Sequence, residues 1–194
     1  VKAVTQALAD YFTSQDKAQQ SLIIGYDTRF LSDRFAGTVA EVAASNSIRV
    51  FLATKPTATP IVSFTVKNKK AGGGVVITAS HNSSIYNGVK FKLEHGGPAP
   101  TEITKQIEGF LRRTQPKYDE NKIQKNIEKI DFEIEYIKHI KKLVNLQQII
   151  DARFRIVFDA MHGAGNQVIE RLLSREGCQV TTIRGQPDPT FSGV

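Results

Sequence analysis

The chain has 194 residues, 40% of them hydrophobic, enough to bury a core in one large or two small domains. Its net charge of +7 suits phosphate-bearing partners, yet Lys67, Lys69, Lys70, Arg112, Arg113, Lys141 and Lys142 are scattered along it. With no zinc-finger spacing or RNA-recognition motif to organise them, they read as solvated helix faces, and no nucleic-acid partner is expected.

No apolar run approaches the roughly 20 residues of a membrane helix, and the N-terminus carries no signal-type core. A cytoplasmic location and no membrane association are expected. Cys178 is the only cysteine, so no intrachain disulfide can form; its surroundings read as a buried strand.

In chain order, Leu22-Ile23-Ile24 is a short apolar run that predicts a buried strand, and Phe35–Ala44 a helix after it. Ile48–Leu52 predicts a second strand, Ile61–Val66 a second helix and Val75-Val76-Ile77 a third strand. Val89-Lys90-Phe91-Lys92-Leu93 alternates, which predicts a strand with one face toward water. Ile103–Leu111 reads as a helix with Thr101 as its N-cap. Alternation of this kind predicts an α/β layer structure with a mainly parallel sheet.

From Thr114 to Lys129 the chain turns polar and charged and includes Pro116, the pattern of a linker. Ile134, Ile137, Ile140, Val144 and Leu146 then mark an amphipathic helix, Phe154–Phe158 a strand, Val168–Leu173 a helix and Gln179–Ile183 a last strand. Pro187-Asp188-Pro189-Thr190 begins a loop. So few strands make this second α/β unit incomplete, as in a piece of a longer protein.

Several motifs fail on inspection. Gly72-Gly73-Gly74 lacks the Gly-Lys-Ser/Thr of a P-loop. Gly163-Ala164-Gly165-Asn166-Gln167-Val168 has Val168 where a dinucleotide fingerprint needs glycine, so the glycines are expected to let the next helix pack close to its strand. Ser80 lies between Thr78 and Asn82 rather than the glycines of a hydrolase elbow. His81, His95, His139 and His162 are too far apart for a zinc site, and His139 is expected on the flank of a helix. On their own, Ser80 and Asn82 read as side-chain caps of a turn and Lys90 as a solvent-facing strand lysine.

One stretch resembles a known family. Thr78-Ala79-Ser80-His81-Asn82, followed by Tyr86-Asn87-Gly88-Val89-Lys90, is similar to the phosphoserine loop of the α-D-phosphohexomutases, the phosphoglucomutase/phosphomannomutase family. Gly25-Tyr26-Asp27-Thr28-Arg29, Gly96-Gly97-Pro98-Ala99 and Phe158-Asp159-Ala160-Met161-His162-Gly163-Ala164-Gly165 follow the family's order. The resemblance implies a three-layer α/β/α first domain over 1–114 with a mixed, mainly parallel sheet, a linker over 115–130 and the start of a second α/β domain over 131–194. It implies an intact enzyme that interconverts hexose 1- and 6-phosphates through a phosphorylated Ser80 and a bisphosphorylated sugar. Glucose 1,6-bisphosphate would be intermediate and activator, and Mg²⁺ would bind through the Ser80 phosphate.

By the same resemblance Lys90 assists proton transfer and His81 contacts the reacting region, while Asp27, Arg29, Asn82 and Asn87 support loop or substrate. Arg29 is expected to hold the loop through a carboxylate or backbone contacts; for Asp27 and His162 structural roles are equally open. Ser83 stands where many relatives have proline, which should loosen the loop unless Ser83 forms a local hydrogen bond. The family's Asp-rich metal loop, sugar-reading loop, phosphate-binding loop and N-terminal Thr/Ser-Gly-x-Arg-Gly segment do not occur in these 194 residues. The partners implied are a phosphorylated hexose and the remaining domains of the same polypeptide, and the piece alone is expected to be inactive. Phosphoglucosamine mutase, whose loop more often begins Ser-Ala-Ser, and a non-catalytic phosphosugar-binding module of the same fold are the alternatives.

Overall fold

The computed structural model describes residues 1–15, 20–165, 168–173 and 177–194. Helix α1 (Lys2–Ser14) leads into strand β1 (Leu22–Tyr26), followed by α2 (Ser32–Ser45), β2 (Val50–Ala53), α3 (Thr59–Asn68), β3 (Gly73–Ile77), β4 (Val89–Leu93) and α4 (Thr101–Glu108). Strands β1, β2 and β3 are parallel neighbours and β4 runs antiparallel on the edge beside β3.

Side chains alternate across each strand, so the sheet buries two separate cores. Leu22, Ile24, Val50, Leu52, Val75 and Ile77 pack against α1, α2 and Ile107 of α4. Ile23, Phe51, Ala53 and Val76 face α3 through Ile61, Val62 and Val66. The result is the α/β/α sandwich with a mixed, mainly parallel sheet. A strand buried on both faces has no room for polar residues, which is why β1 and β3 read as unbroken apolar runs.

Three expectations for the first unit need correction. The polar stretch expected as a linker, 115–130, forms α5 (Glu120–Asn126) and β5 (Ile127–Ile130), and β5 pairs in parallel with β2 to give the order β4-β3-β1-β2-β5. An edge strand carries side chains in solvent, and Ile127-Glu128-Lys129-Ile130 leaves Glu128 and Lys129 exposed. Helix α4 has Pro100, not Thr101, at its N-cap, and the Thr104 hydroxyl donates back to the Pro100 carbonyl over 3.2 Å.

Lys92 of β4 is the third correction. It shares a face with Lys90, which is exposed as expected, but at Lys92 that face is covered by α3. Lys92 pairs with Gly74, where an added Cβ would lie 2.7 Å from Val66 Cγ2 and 3.6 Å from Lys92 Cβ. Lys92 is buried, and that burial, then the Lys90 charge, pushes its ammonium pKa below the usual value. Phe91 points the other way, edge-on to Phe12 of α1 at 5.9 Å, and Val89 is 41% exposed.

The second unit holds α6 (Glu133–Leu143), α7 (Leu146–Asp151), β6 (Arg155–Asp159), α8 (Val168–Leu173) and β7 (Gln179–Ile183), with β6 and β7 parallel. Ile137, Ile140, Leu146, Leu172, Leu173 and Cys178 form its core, whereas Ile134 and Val144, expected on the apolar stripe, are 54% and 40% exposed. Cys178 is buried but precedes β7, its thiol donating to the Ile149 carbonyl.

Contacts join the two units. Phe64 of α3 packs on His139 and Tyr136 of α6, with centroids 4.8 and 5.6 Å away. Glu133, almost fully buried, accepts from Lys55 at 2.7 Å and from Arg171 of α8, and Lys55 also meets Asp131 at 2.9 Å. Of the Gly-x-Gly stretch, Asn166 and Gln167 lie outside the described residues. Among the described residues nothing lies within 4 Å of a Cβ placed on Gly165, and Gly163 closes a turn onto the Ala160 carbonyl.

Candidate active site

The C-terminal ends of β1 and β3 lie side by side, Tyr26 opposite Ile77, and the chain leaving each one forms half of the site. Beyond β3, Thr78 donates its N–H to the Gly88 carbonyl and its Oγ1 accepts the N–H of Ser80, both at 3.0 Å. The cap of this turn is thus Thr78, where the residue types alone suggested the side chains of Ser80 and Asn82. Ser80 is exposed, with φ of 60°, a left-handed conformation that costs a non-glycine residue about 1 kcal/mol or more. Its Oγ stands 3.4 Å from Nδ1 of His81.

What holds a strained serine in place comes from β1. The Arg29 side chain is 3% exposed, and its guanidinium donates to four carbonyls of the loop. Nη1 reaches Ser83 at 2.7 Å and Tyr86 at 3.0 Å; Nη2 reaches Ser80 at 3.0 Å and Asn82 at 2.6 Å. A rigid fork with five donors suits this task, and each charge-assisted bond outweighs a neutral one. Arg29 Nε lies 3.2 Å from Asp27 Oδ2 in an ion pair off the hydrogen-bond line. Asp27 Oδ1 accepts from the Arg29 N–H and from Ser32 Oγ, so the carboxylate fixes both the clamp and the start of α2.

Asn87 closes the loop from the other end, its amide donating to Ser32 Oγ at 2.9 Å and its Oδ1 accepting from Gly88 N. Asn82 contributes backbone, its N–H bonding the Ala79 carbonyl at 3.1 Å. Ser83 supplies a backbone carbonyl that accepts from both Arg29 and the Tyr86 N–H, bonds that a proline carbonyl could make equally well.

The loop opens onto a cavity of about 750 Å³ lined by Arg29, Thr57, Ser80, His81, Met161 and Phe191, among others. Lys90 is not among its lining residues. It is exposed on β4 opposite Val76, on the α3 face of the sheet, and α3 begins at Thr59 on the cavity wall.

The second unit supplies the opposite wall. Thr28, buried beside Arg29, donates to the His162 carbonyl at 2.8 Å, and the His162 ring bonds the Gln186 carbonyl through Nδ1 at 2.7 Å. Met161 and His162 both have positive φ, 46° and 56°. Arg184 grips the Asp159 carboxylate with Nε and Nη2 and keeps it below the usual range. Thr28 and Phe191 were not singled out in the sequence; both act across more than a hundred residues of chain, and no local pattern signals such a contact.

Residues 1–118 match the family described as phosphoglucomutase/phosphomannomutase, alpha/beta/alpha domain I, and 134–194 match its alpha/beta/alpha domain II. The chain belongs to the phosphoglucomutase/phosphomannomutase family. A phosphoglucomutase of Staphylococcus epidermidis RP62A is 32% identical over 205 residues, which take in 100% of this chain and 37% of the relative. One of Staphylococcus aureus MRSA252 is 30% identical, with 36% of its length covered. The chain thus spans little more than a third of these relatives.

Among solved structures, one described as a phosphomannomutase from Thermus thermophilus superposes with a TM-score of 0.86 at 31% identity, over 99% of this chain and 43% of the other. The Paramecium phosphoprotein parafusin, a phosphoglucomutase in its open form, gives 0.81 at 21% identity over 98% and 41%, a likeness of fold.

A divalent metal is implied by the family resemblance, and the described residues do not hold one unaided. Among them no three His, Cys, Asp or Glu side chains converge on a metal-sized site. The Asp27 carboxylate is committed to Arg29 and Ser32. Ser80 offers one oxygen position at the cavity, against the roughly six that Mg²⁺ takes.

Proposed function

We propose that this chain is the phosphoryl-carrying part of a phosphohexomutase that interconverts hexose 1-phosphate and hexose 6-phosphate, of phosphoglucomutase/phosphomannomutase type. The observation that carries the reading is the clamp: a strained, exposed serine whose own carbonyl is fixed by a buried guanidinium at the mouth of a cavity. Strain of this kind survives only where the surroundings over-determine it, and it clusters at reactive centres.

The chemistry follows from what such a serine can do. Phosphorylated Ser80 carries about −1.5 to −2 charges. A sugar hydroxyl attacks its phosphorus in line; the bond from phosphorus to the sugar oxygen forms as the bond to Oγ breaks. The hydroxyl proton passes to a base and is returned to Oγ, an exchange assigned to Lys90, with His81 beside the serine oxygen. The bisphosphorylated sugar, glucose 1,6-bisphosphate for a glucose substrate, turns over and gives its other phosphate back to Ser80 by the same bond changes reversed. Transfer of this kind depends on positioning and charge stabilisation, which is what a clamped loop supplies. The described residues do not complete a Mg²⁺ site; the remaining domains of a longer polypeptide would supply its other ligands and the sugar-reading groups. No described helix is long and apolar enough to cross a membrane, in keeping with a cytoplasmic enzyme.

Intact-mass analysis of the full-length protein tests the reading. Incubation with glucose 1,6-bisphosphate adds one phosphoryl group that maps to Ser80 and is absent from Ser80→Ala. The 194-residue piece alone converts no glucose 1-phosphate above background. A full-length protein that takes up no phosphoryl group and is inert as a mutase would leave only the phosphosugar-binding module.

A further inference from the structure

We infer that Phe191 is a positioning residue, through which the second unit sets the order of the Ser80 loop. Its ring covers the Arg29 guanidinium with Cζ 5.2 Å from the ring centroid, inside the range of a cation–π contact. The Nη1 and Nη2 groups of that guanidinium donate to four loop carbonyls and its Nε edge faces the Asp27 carboxylate in an ion pair, so the ring shields the charge from out of that plane. Excluding water there keeps the local dielectric low and strengthens every bond the clamp makes.

The ring is held in place by contacts of its own turn. Phe191 has φ of 53°, a conformation that needs support in any residue other than glycine. Asp188 gives that support: its carboxylate accepts from the N–H and hydroxyl of Thr190 and from the N–H of Ser192, and its carbonyl from the N–H of Phe191. Arg184 ties the same turn to the end of β6, donating to the Gly193 carbonyl while it grips Asp159. The second unit therefore touches two consecutive residues of the first, Thr28 through the His162 carbonyl and Arg29 through Phe191. A rotation of one unit against the other withdraws the ring from Arg29, admits water and loosens the loop that bears Ser80.

The test has two arms, and only the kinetic one rests on Ser80 being the phosphoryl carrier. In the full-length protein, Phe191→Leu keeps an apolar side chain, somewhat smaller and without the π face, and Phe191→Tyr keeps both the ring and its bulk. Hydrogen exchange is expected to quicken across 79–88 in the Leu variant, with the cores of α1 to α3 unchanged, and to stay as wild type in Tyr. Phosphoryl transfer between Ser80 and glucose 1,6-bisphosphate should slow about two- to thirtyfold in Leu, the range a cation–π contact accounts for, with KM little changed and recovery in Tyr. Unchanged exchange across 79–88, an equal rise throughout the chain, or Leu behaving as Tyr would overturn the inference. Absent phosphoryl transfer in the wild type would sink the functional reading alone, because the exchange arm still decides the role of Phe191.

Discussion

Arg29 donates a hydrogen bond of 3.0 Å to the carbonyl of Ser80, so the residue proposed to carry phosphate is held through its backbone and left free at its side chain. Recognition of the loop by its carbonyls makes the clamp indifferent to what is attached to Oγ. A phosphate on Oγ is therefore expected to leave the four Arg29 bonds in place.

Removing the clamp should be costly. Arg29→Met leaves four carbonyls and the Asp27 carboxylate without their cation, a loss of about 3–5 kcal/mol by analogy with broken buried ion pairs. Thermal unfolding should fall by about 10 °C. Arg29→Lys should recover part of this and no more, since one ammonium with three donors cannot serve four acceptors. A Met variant as stable as wild type would show that the four bonds are redundant.

Strain at Ser80 predicts a trade. Ser80→Gly relieves the positive φ and should stabilise the protein by about 0.5–1 kcal/mol while abolishing phosphoryl uptake. Chemical denaturation and intact mass on the same preparation read both effects, and a Gly variant less stable than wild type would remove the strain argument.

Close packing under the site predicts a rescue. A Cβ on Gly25 would sit 2.4 Å from Val62 Cγ2, so Gly25→Ala should cost about 1–3 kcal/mol. Val62→Ala makes the missing room, and the pair should show a favourable coupling of about 0.5–3 kcal/mol in a double-mutant cycle. Strict additivity would place the clash elsewhere.

The turn behind Phe191 should be sensitive to acid. The Asp188 carboxyl is held well below its usual range by the Thr190 hydroxyl first, then the Thr190 N–H and the groups of Ser192. Asp159 is held down by Arg184, then by the Met161 N–H. A carboxyl whose folded pKa is depressed contributes stability above its unfolded pKa, about 3.9, and loses it as the pH falls through the folded value. The stability difference between wild type and Asp188→Asn should therefore be fully present at pH 6 and shrink below about pH 4. A difference that grows with acidity would contradict the assignment.

Much of the first domain was legible because its strands are buried on both faces and must be apolar throughout, as in Leu22-Ile23-Ile24 and Val75-Val76-Ile77. The Ser80 loop stood out because a run of that kind ended in hydroxyl, imidazole and amide groups. Elements with weak local signal were missed: β5 is an edge strand with two charged residues of four, and α1 carries buried Thr5 and Gln6 on its inner face. The face of Lys92 was misjudged because alternation gives the period and not the side that α3 covers. Arg29 was expected to hold the loop, but its four acceptors lie 51 to 57 residues away, a distance over which only the fold can bring them together.

The pairing of β1 with β3 gives the clamp a second meaning. Arg29 leaves the end of one strand and the four carbonyls leave the end of the other, with the two strands in step from Leu22 opposite Gly73 to Tyr26 opposite Ile77. A slip of one residue shifts one strand by about 3.3 Å along its neighbour and turns its side chains to the wrong face. The guanidinium would then miss its four carbonyl acceptors, and the buried cation would keep Asp27 alone as a partner. The serine loop thus works as a gauge of the sheet: its four-carbonyl clamp closes only on a correctly registered β1 and β3.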